Sequence, residues 1–283
     1  MRMLLLLICF LWTLPTVGLF ISSFRTEAAL EAGGWWFLFA HPFELTHYTL
    51  ANYQHVLLAE GLGIAFLNSL LVTLPAVVLP ITFAAFAAYA FAWLRFPGRN
   101  LCFALVVGAM VLPLHVALIP LQRIYALINL DGTYLGIWLA HTAFGMPLAI
   151  YLLYSHIVTL PGELIESARL DGASPFATFT TLVLPLSLPA IAAFATFQFL
   201  WVWNDLLVAL VLLGSGEAPL LTTHLTALAG TGQLSWGVLA AGACISMLVP
   251  LALFFGLQRP FLRSVTVGVE SEKWKAQKVS AEG

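Results

Sequence analysis

Apolar positions in this chain do not alternate with polar ones. They run in six blocks, about residues 3–24, 64–94, 101–121, 133–154, 186–213 and 238–257, and most charged side chains fall between them. Each block reaches the ~20 residues that an α-helix needs to cross a hydrocarbon layer ~30 Å thick. Backbone amides in lipid must be bonded within their own segment, and the two-residue rhythm of barrel strands is missing, so the pattern predicts helices. The expected fold is an all-α integral membrane protein with six transmembrane helices, a single transmembrane domain over residues 1–283. Pro75, Pro80, Pro113 and Pro147 lie inside blocks and should kink their helices, because proline removes a backbone donor. The first block follows Arg2 and is longer than the apolar core of a signal peptide, so it is read as a retained span.

Positive residues orient the spans, since loops carrying Lys and Arg stay on the cytoplasmic side. Arg2, Arg95, Arg99, Arg169, Arg259, Arg263, Lys273, Lys275 and Lys278 fall on one side, and only Arg25 and Arg123 on the other. Both termini, the loop at about 156–185 and the tail at 258–283 are therefore expected in the cytoplasm. The loops at 25–61 and 214–237 face outward. The first of these carries Trp35, Trp36, Phe37, Phe39, Pro42 and Phe43, a mixture that reads as a segment at headgroup level. Its Glu27, Glu31, Glu44 and Glu60 show no pairing that suggests catalysis.

Composition narrows the chemistry. Hydrophobic residues make up 61% of the 283 and charged ones 8%, against roughly a quarter in soluble domains. A net charge of −2 offers no basic surface for nucleic acid. Cys9, Cys102 and Cys244 sit inside apolar blocks without metal-ligand spacing, and His41, His47, His115 and His141 lack partners at such spacing. No metal or cofactor is expected. No HExxH, GxSxG or P-loop occurs, and the first lysine is Lys273, so the chain is not expected to be an enzyme or to bind nucleotide.

The segment between the fourth and fifth blocks is long for a turn. Pro161 suits a first helical turn, and Glu163 complements its positive end. Gly172 suits a left-handed stop, while Ser174 and Pro175 read as the cap and first residue of a second helix. The expectation is an elbow of two short helices. Leu164, Ile165 and Ala168 would share one face of the first, with Glu166 and Arg169 paired on a wetter side. Only one basic residue marks that polar face, so a protein-docking element fits better than a helix resting on lipid.

Glu166-Ser167-Ala168-Arg169-Leu170-Asp171-Gly172, followed after nine residues by Leu182-Val183-Leu184-Pro185, resembles the EAA loop of ABC importer permeases. Tyr48-Thr49-Leu50-Ala51-Asn52-Tyr53, Asn68-Ser69, the Arg95-Phe96-Pro97-Gly98-Arg99 turn and Trp203-Asn204-Asp205 are similar to segments of the carbohydrate-importing, maltose-type branch. After Gln258-Arg259 the tail departs from that branch, carrying Ser264-Val265-Thr266-Val267-Gly268. The resemblance implies a permease subunit of an ATP-driven sugar importer in the cell inner membrane. It implies four kinds of partner: a second permease as a heterodimer, two ATP-hydrolysing subunits, an extracytoplasmic sugar-binding protein and the lipid bilayer. It also implies that Leu164, Ile165, Glu166, Ala168, Asp171 and Gly172 seat the loop on the ATPase.

In the fifth block Gln198, Trp201 and Asp205 recur at intervals of three and four, with Asn204 at their border. An ionised aspartate in lipid costs roughly 2.5 to 3.5 kcal/mol, so this face should turn inward. The mixture suits contact with sugar hydroxyls and C–H faces along a substrate pathway, and equally suits a polar stripe that holds helices together. The competing reading for the whole chain is an ion-gradient-driven secondary transporter, which would bury paired ionisable residues at mid-membrane; Asp205 has no such partner in the sequence.

Overall fold

The computed structural model describes residues 2–39, 45–214, 218–232 and 234–256; the tail at 258–283 lies outside the described residues. Helices Arg2–Ser23, Leu62–Trp93, Tyr134–Ile157 and Trp236–Gly256 are each long and apolar enough to cross a membrane. Two bent pairs, Arg99–Ala109 with Leu114–Leu127 at 100° and Pro175–Leu186 with Leu188–Trp203 at 70°, bring the number to six where each pair counts as one span.

The bends follow from the backbone chemistry of proline. At the third span a kink at Pro113 was expected, and the chain breaks there. The amides of Met110, Val111 and Leu112 reach back only three residues, to Val107, Gly108 and Ala109, so the helix tightens and stops. Pro113 then has no amide to continue it and opens the next helix in an extended conformation. The fifth span also differs from one continuous block at 186–213. Helix already begins at Pro175, breaks at Ser187, resumes over Leu188–Trp203 and stops again before a short helix Leu207–Leu212.

The chain forms two compact units, one joining the residues up to Leu70 to the segment ending at Ala252, the other built on Leu71–Gly214. In the first, Asn52 donates its side-chain amide to the carbonyls of Ser23 and Arg25 at 3.0 and 2.9 Å, fixing the exit of the first span. Asn68 donates to the Pro219 carbonyl, and the Ser69 hydroxyl accepts from the Leu221 amide at 2.7 Å. Ser69 thereby serves an amide at the start of helix Leu221–Thr231 that has no partner within that helix. A ring nitrogen of His224 lies 2.6 Å from the Glu60 carbonyl oxygen.

The second unit packs Ala84, Ala85, Ala88 and Tyr89 of the second span against Ala149, Ile150, Leu153 and Ile157 of the fourth, with Ile165, Phe179 and Phe194 completing the core. Alanines let helices approach closely where lipid supplies no hydrophobic drive between them. Each proline in the second span leaves the carbonyl four residues earlier without its amide. Those carbonyls are answered by side chains from elsewhere in the unit. Trp138 Nε1 donates to Leu71, four before Pro75, at 3.2 Å, and Gln198 Nε2 donates to Ala76, four before Pro80, at 3.2 Å. At the helix end, where the last carbonyls have no helical amide, Arg169 Nη2 donates to Trp93 at 3.0 Å.

Candidate functional site

The segment from Gly162 to Leu186 is built by local signals. Helix Gly162–Leu170 ends when Gly172 turns into the left-handed region at φ +82°. The Ala173 amide then bonds the Ala168 carbonyl at 2.9 Å and the Gly172 amide bonds Arg169 at 3.1 Å. This reciprocal pair is the Schellman closure, which satisfies carbonyls the helix leaves open. Ser174 next accepts the Ala177 amide at 3.2 Å as an N-cap, with Pro175 in the first turn.

Two of the sequence expectations for the elbow are corrected. Ile165 does not present an outward docking face: it is 1% exposed and packs into the core with Ile157 and Phe179. An outward Ile165 would uncover the apolar surface that fastens the elbow to the spans. Arg169 does not pair with Glu166; it is engaged by the Trp93 carbonyl, which ends its helix and has no helical amide to answer it. Leu164, Glu166, Asp171 and Gly172 are exposed and Ala168 is half-buried. Sequence reasoning missed Leu170 and Phe176, which stand 88% and 66% exposed beside the turn. Their signal was position: Leu170 is the last helical residue before the stop, and Phe176 follows the Ser-Pro cap. Phe176 also stacks on Phe86 of the second span at 6.4 Å between ring centroids.

The fifth-span residues are not brought to one surface. Gln198 is fully buried, bound to the carbonyls of Ala76 and His141, so it is corrected from a pathway residue to an internal tie. Gly145 makes room for it: a Cβ there would stand 2.6 Å from Gln198 Nε2. Trp201 is half-buried, edge-on to the His141 ring, and lines a mostly apolar cavity of about 380 Å³ with Met110, Phe144 and Phe197. Asn204 is exposed where the helix breaks and donates to the Leu200 carbonyl at 2.8 Å. Asp205 Oδ2 accepts the Ala209 amide at 3.2 Å, capping Leu207–Leu212. Among the described residues no three His, Cys, Asp or Glu side chains converge as metal ligands.

Against known proteins, the family described as "Binding-protein-dependent transport system inner membrane component" matches residues 63–267. The osmoprotective compounds uptake permease protein GgtD of Synechocystis sp. is 56% identical over 264 residues, 93% of this chain and 89% of that protein. The alpha-glucoside transport system permease protein AglG of Rhizobium meliloti is 54% identical over 78% of this chain and 60% of its own length. Among solved structures, a bacterial ABC transporter involved in the import of the acidic polysaccharide alginate shares the fold, with a TM-score of 0.71 over 92% of this chain and 94% of the other, at 21% identity.

Proposed function

The chain belongs to the family of binding-protein-dependent transport system inner membrane components, and from that premise we propose that it is the membrane-spanning permease subunit of an ATP-driven sugar importer. It forms half of the translocation pathway and passes the work of a separate ATP-hydrolysing subunit into the membrane through residues 161–185. The observation that carries this reading is the family match over residues 63–267, which takes in the elbow and the broken fifth span together. Relatives named for osmoprotective compounds and alpha-glucosides support a small, hydroxyl-rich cargo.

In this reading Leu164, Leu170 and Phe176 supply the apolar surface that seats on the ATPase, with Glu166 and Asp171 at its rim and Ala168 and Gly172 shaping the turn. Ile165 and Arg169 fix the elbow to the spans, so that a push on it reaches the core formed by the second and fourth. Trp201, Asn204 and Asp205 lie at or beside the fifth-span break and face the pathway, while Gln198 holds the helix that carries them. The complete transporter adds a second permease, two ATPase subunits and an extracytoplasmic sugar-binding protein, in the inner membrane with both termini of this chain cytoplasmic.

A tagged chain purified from membranes tests this directly. It should bring down a P-loop ATPase and a second permease, and reconstituted vesicles should take up sugar only with ATP inside the ATPase compartment. Uptake by the chain alone, driven by a proton or sodium gradient, would instead establish the secondary-transporter reading.

A further inference from the structure

The tryptophans after the first span wall a cavity. In the first unit Glu27, Glu31, Trp35, Trp36 and Trp236 line a space of about 510 Å³, with Ser22 and Ser235 at its sides. Ser22 is one residue from the end of helix Arg2–Ser23, and Trp236 opens helix Trp236–Gly256. The cavity therefore sits where two spans leave the hydrocarbon, at the level of lipid headgroups. Two glycines shape it. The Trp35 indole lies against Gly18, where a Cβ would approach Nε1 to 2.8 Å, and Gly34, at φ +67°, lets the Trp36 ring fold over the backbone. Trp36 and Trp236 remain 62% and 61% exposed, an arrangement suited to a layer that is apolar on one side and wet on the other.

The lining has a definite polarity. Glu27 and Glu31 lie four residues apart on helix Glu27–Gly33 and are neighbours, a like-charge pair that weakens a helix unless a cation lies between them. Among the described residues no Lys or Arg lines the space. The nearby Arg25 is buried, its Nη1 on the Gly34 carbonyl at 3.3 Å and its guanidinium 5.5 Å from the Phe37 ring. Indole faces attract ammonium groups, and the half-buried Ser235 offers a hydroxyl donor for a phosphate oxygen, while Ser22 is buried in the wall. Carboxylate acceptors, aromatic faces and a hydroxyl donor in one recess match a ligand that carries an ammonium and a phosphate close together.

We propose that this cavity is a lipid-binding site that takes the ammonium of a phosphatidylethanolamine headgroup between Glu27, Glu31 and the indoles of Trp36 and Trp236. A lipid whose headgroup is purely anionic is repelled by the same two carboxylates. The position at the span ends favours a lipid over a sugar or a docking protein, both of which approach from the aqueous side. The inference needs only the membrane-spanning fold and stands apart from the identity of the cargo.

The test uses the full-length chain, stripped of lipid in detergent and then given phosphatidylethanolamine and phosphatidylglycerol at equal mole fractions, with retained lipid counted by native mass spectrometry. Wild type should retain phosphatidylethanolamine by about fivefold or more, the discrimination that a partly desolvated ammonium on aromatic faces provides. Glu27→Gln with Glu31→Gln should bring the ratio to about one without changing the unfolding temperature, since both side chains are exposed. Trp36→Ala should lower retention and Trp36→Phe should restore part of it. Equal retention of the two lipids by wild type, a preference that survives the double glutamine variant, or displacement of the lipid by a neutral disaccharide would each overturn the proposal.

Discussion

At the scale of single residues, several polar side chains inside this protein answer gaps in the backbone. Gln198 is the clearest case. Its amide donates to the Ala76 carbonyl that Pro80 leaves open, and the site is closed to solvent. Gln198→Leu should keep the volume and lose the donor, costing about 1 to 3 kcal/mol for a buried acceptor left without a partner, read as a lower unfolding temperature in detergent. An unchanged unfolding temperature would show that the tie is dispensable. Asp205 combines a charge and a cap, and the two separate by substitution. Asp205→Ala should cost about 0.5 to 2 kcal/mol by uncapping Leu207–Leu212, whereas Asn still caps. Asp205→Asn should therefore fold normally and lower sugar uptake through the lost charge; uptake at the wild-type rate would remove Asp205 from the pathway. The shared face of Gln198, Trp201 and Asp205 was legible from spacing, but the burial of Gln198 was not. In a helix apolar all round, the inward side is set by neighbours, and the usable hint was Pro80, more than a hundred residues away.

At the scale of elements, the elbow was the most legible part of the chain because its signals are local. Gly172, Ser174 and Pro175 specify a stop, a cap and a start within four residues, and the hydrogen bonds there follow from those side chains alone. Which face of the first helix points outward was not legible, because Leu164 and Ile165 are adjacent and equally apolar; the core around Ile157 and Phe179 decides between them. Substitution should tell the two faces apart. Ile165→Glu places a charge in that core and should abolish stable folding, whereas Leu170→Glu, on a side chain 88% exposed, should leave the unfolding temperature unchanged and abolish copurification of the ATPase. Retained ATPase association in Leu170→Glu would remove Leu170 from the docking surface. Gly172→Val meets no steric obstacle around its Cβ, so its whole cost comes from forcing a β-branched residue to φ +82°, about 1 to 2 kcal/mol. That is too little to unfold a membrane protein and enough to turn the elbow away. We expect normal insertion with uncoupled or lost ATP hydrolysis; full transport by the variant would contradict the coupling role.

At the scale of the whole molecule, the apolar blocks were legible as helices because lipid leaves the backbone no alternative, and four of them are single helices long enough to cross. The breaks were only partly so. Pro113 announced a kink, but a 100° bend also requires that residues 110–112 bond three residues back, which periodicity does not reveal. The short motifs at Asn52, Asn68 and Ser69 likewise became intelligible only as tertiary ties, from side chains to backbone groups distant in sequence. Orientation rests on a different physical term, the retention of Lys and Arg on the cytoplasmic side, and it is testable without reference to packing. In a background with Cys9, Cys102 and Cys244 replaced by serine, a cysteine at exposed Ala227 should react with an impermeant thiol reagent added to intact cells. One at exposed Ser167 should react only after the membrane is opened. Ser167 lies in the loop proposed to meet the ATPase, so this pattern joins the charge argument to the proposed coupling, which requires the elbow on the cytoplasmic side where nucleotide is hydrolysed. Labelling of Ser167→Cys from outside would invert the topology and, with it, remove the elbow from any contact with a cytoplasmic ATPase.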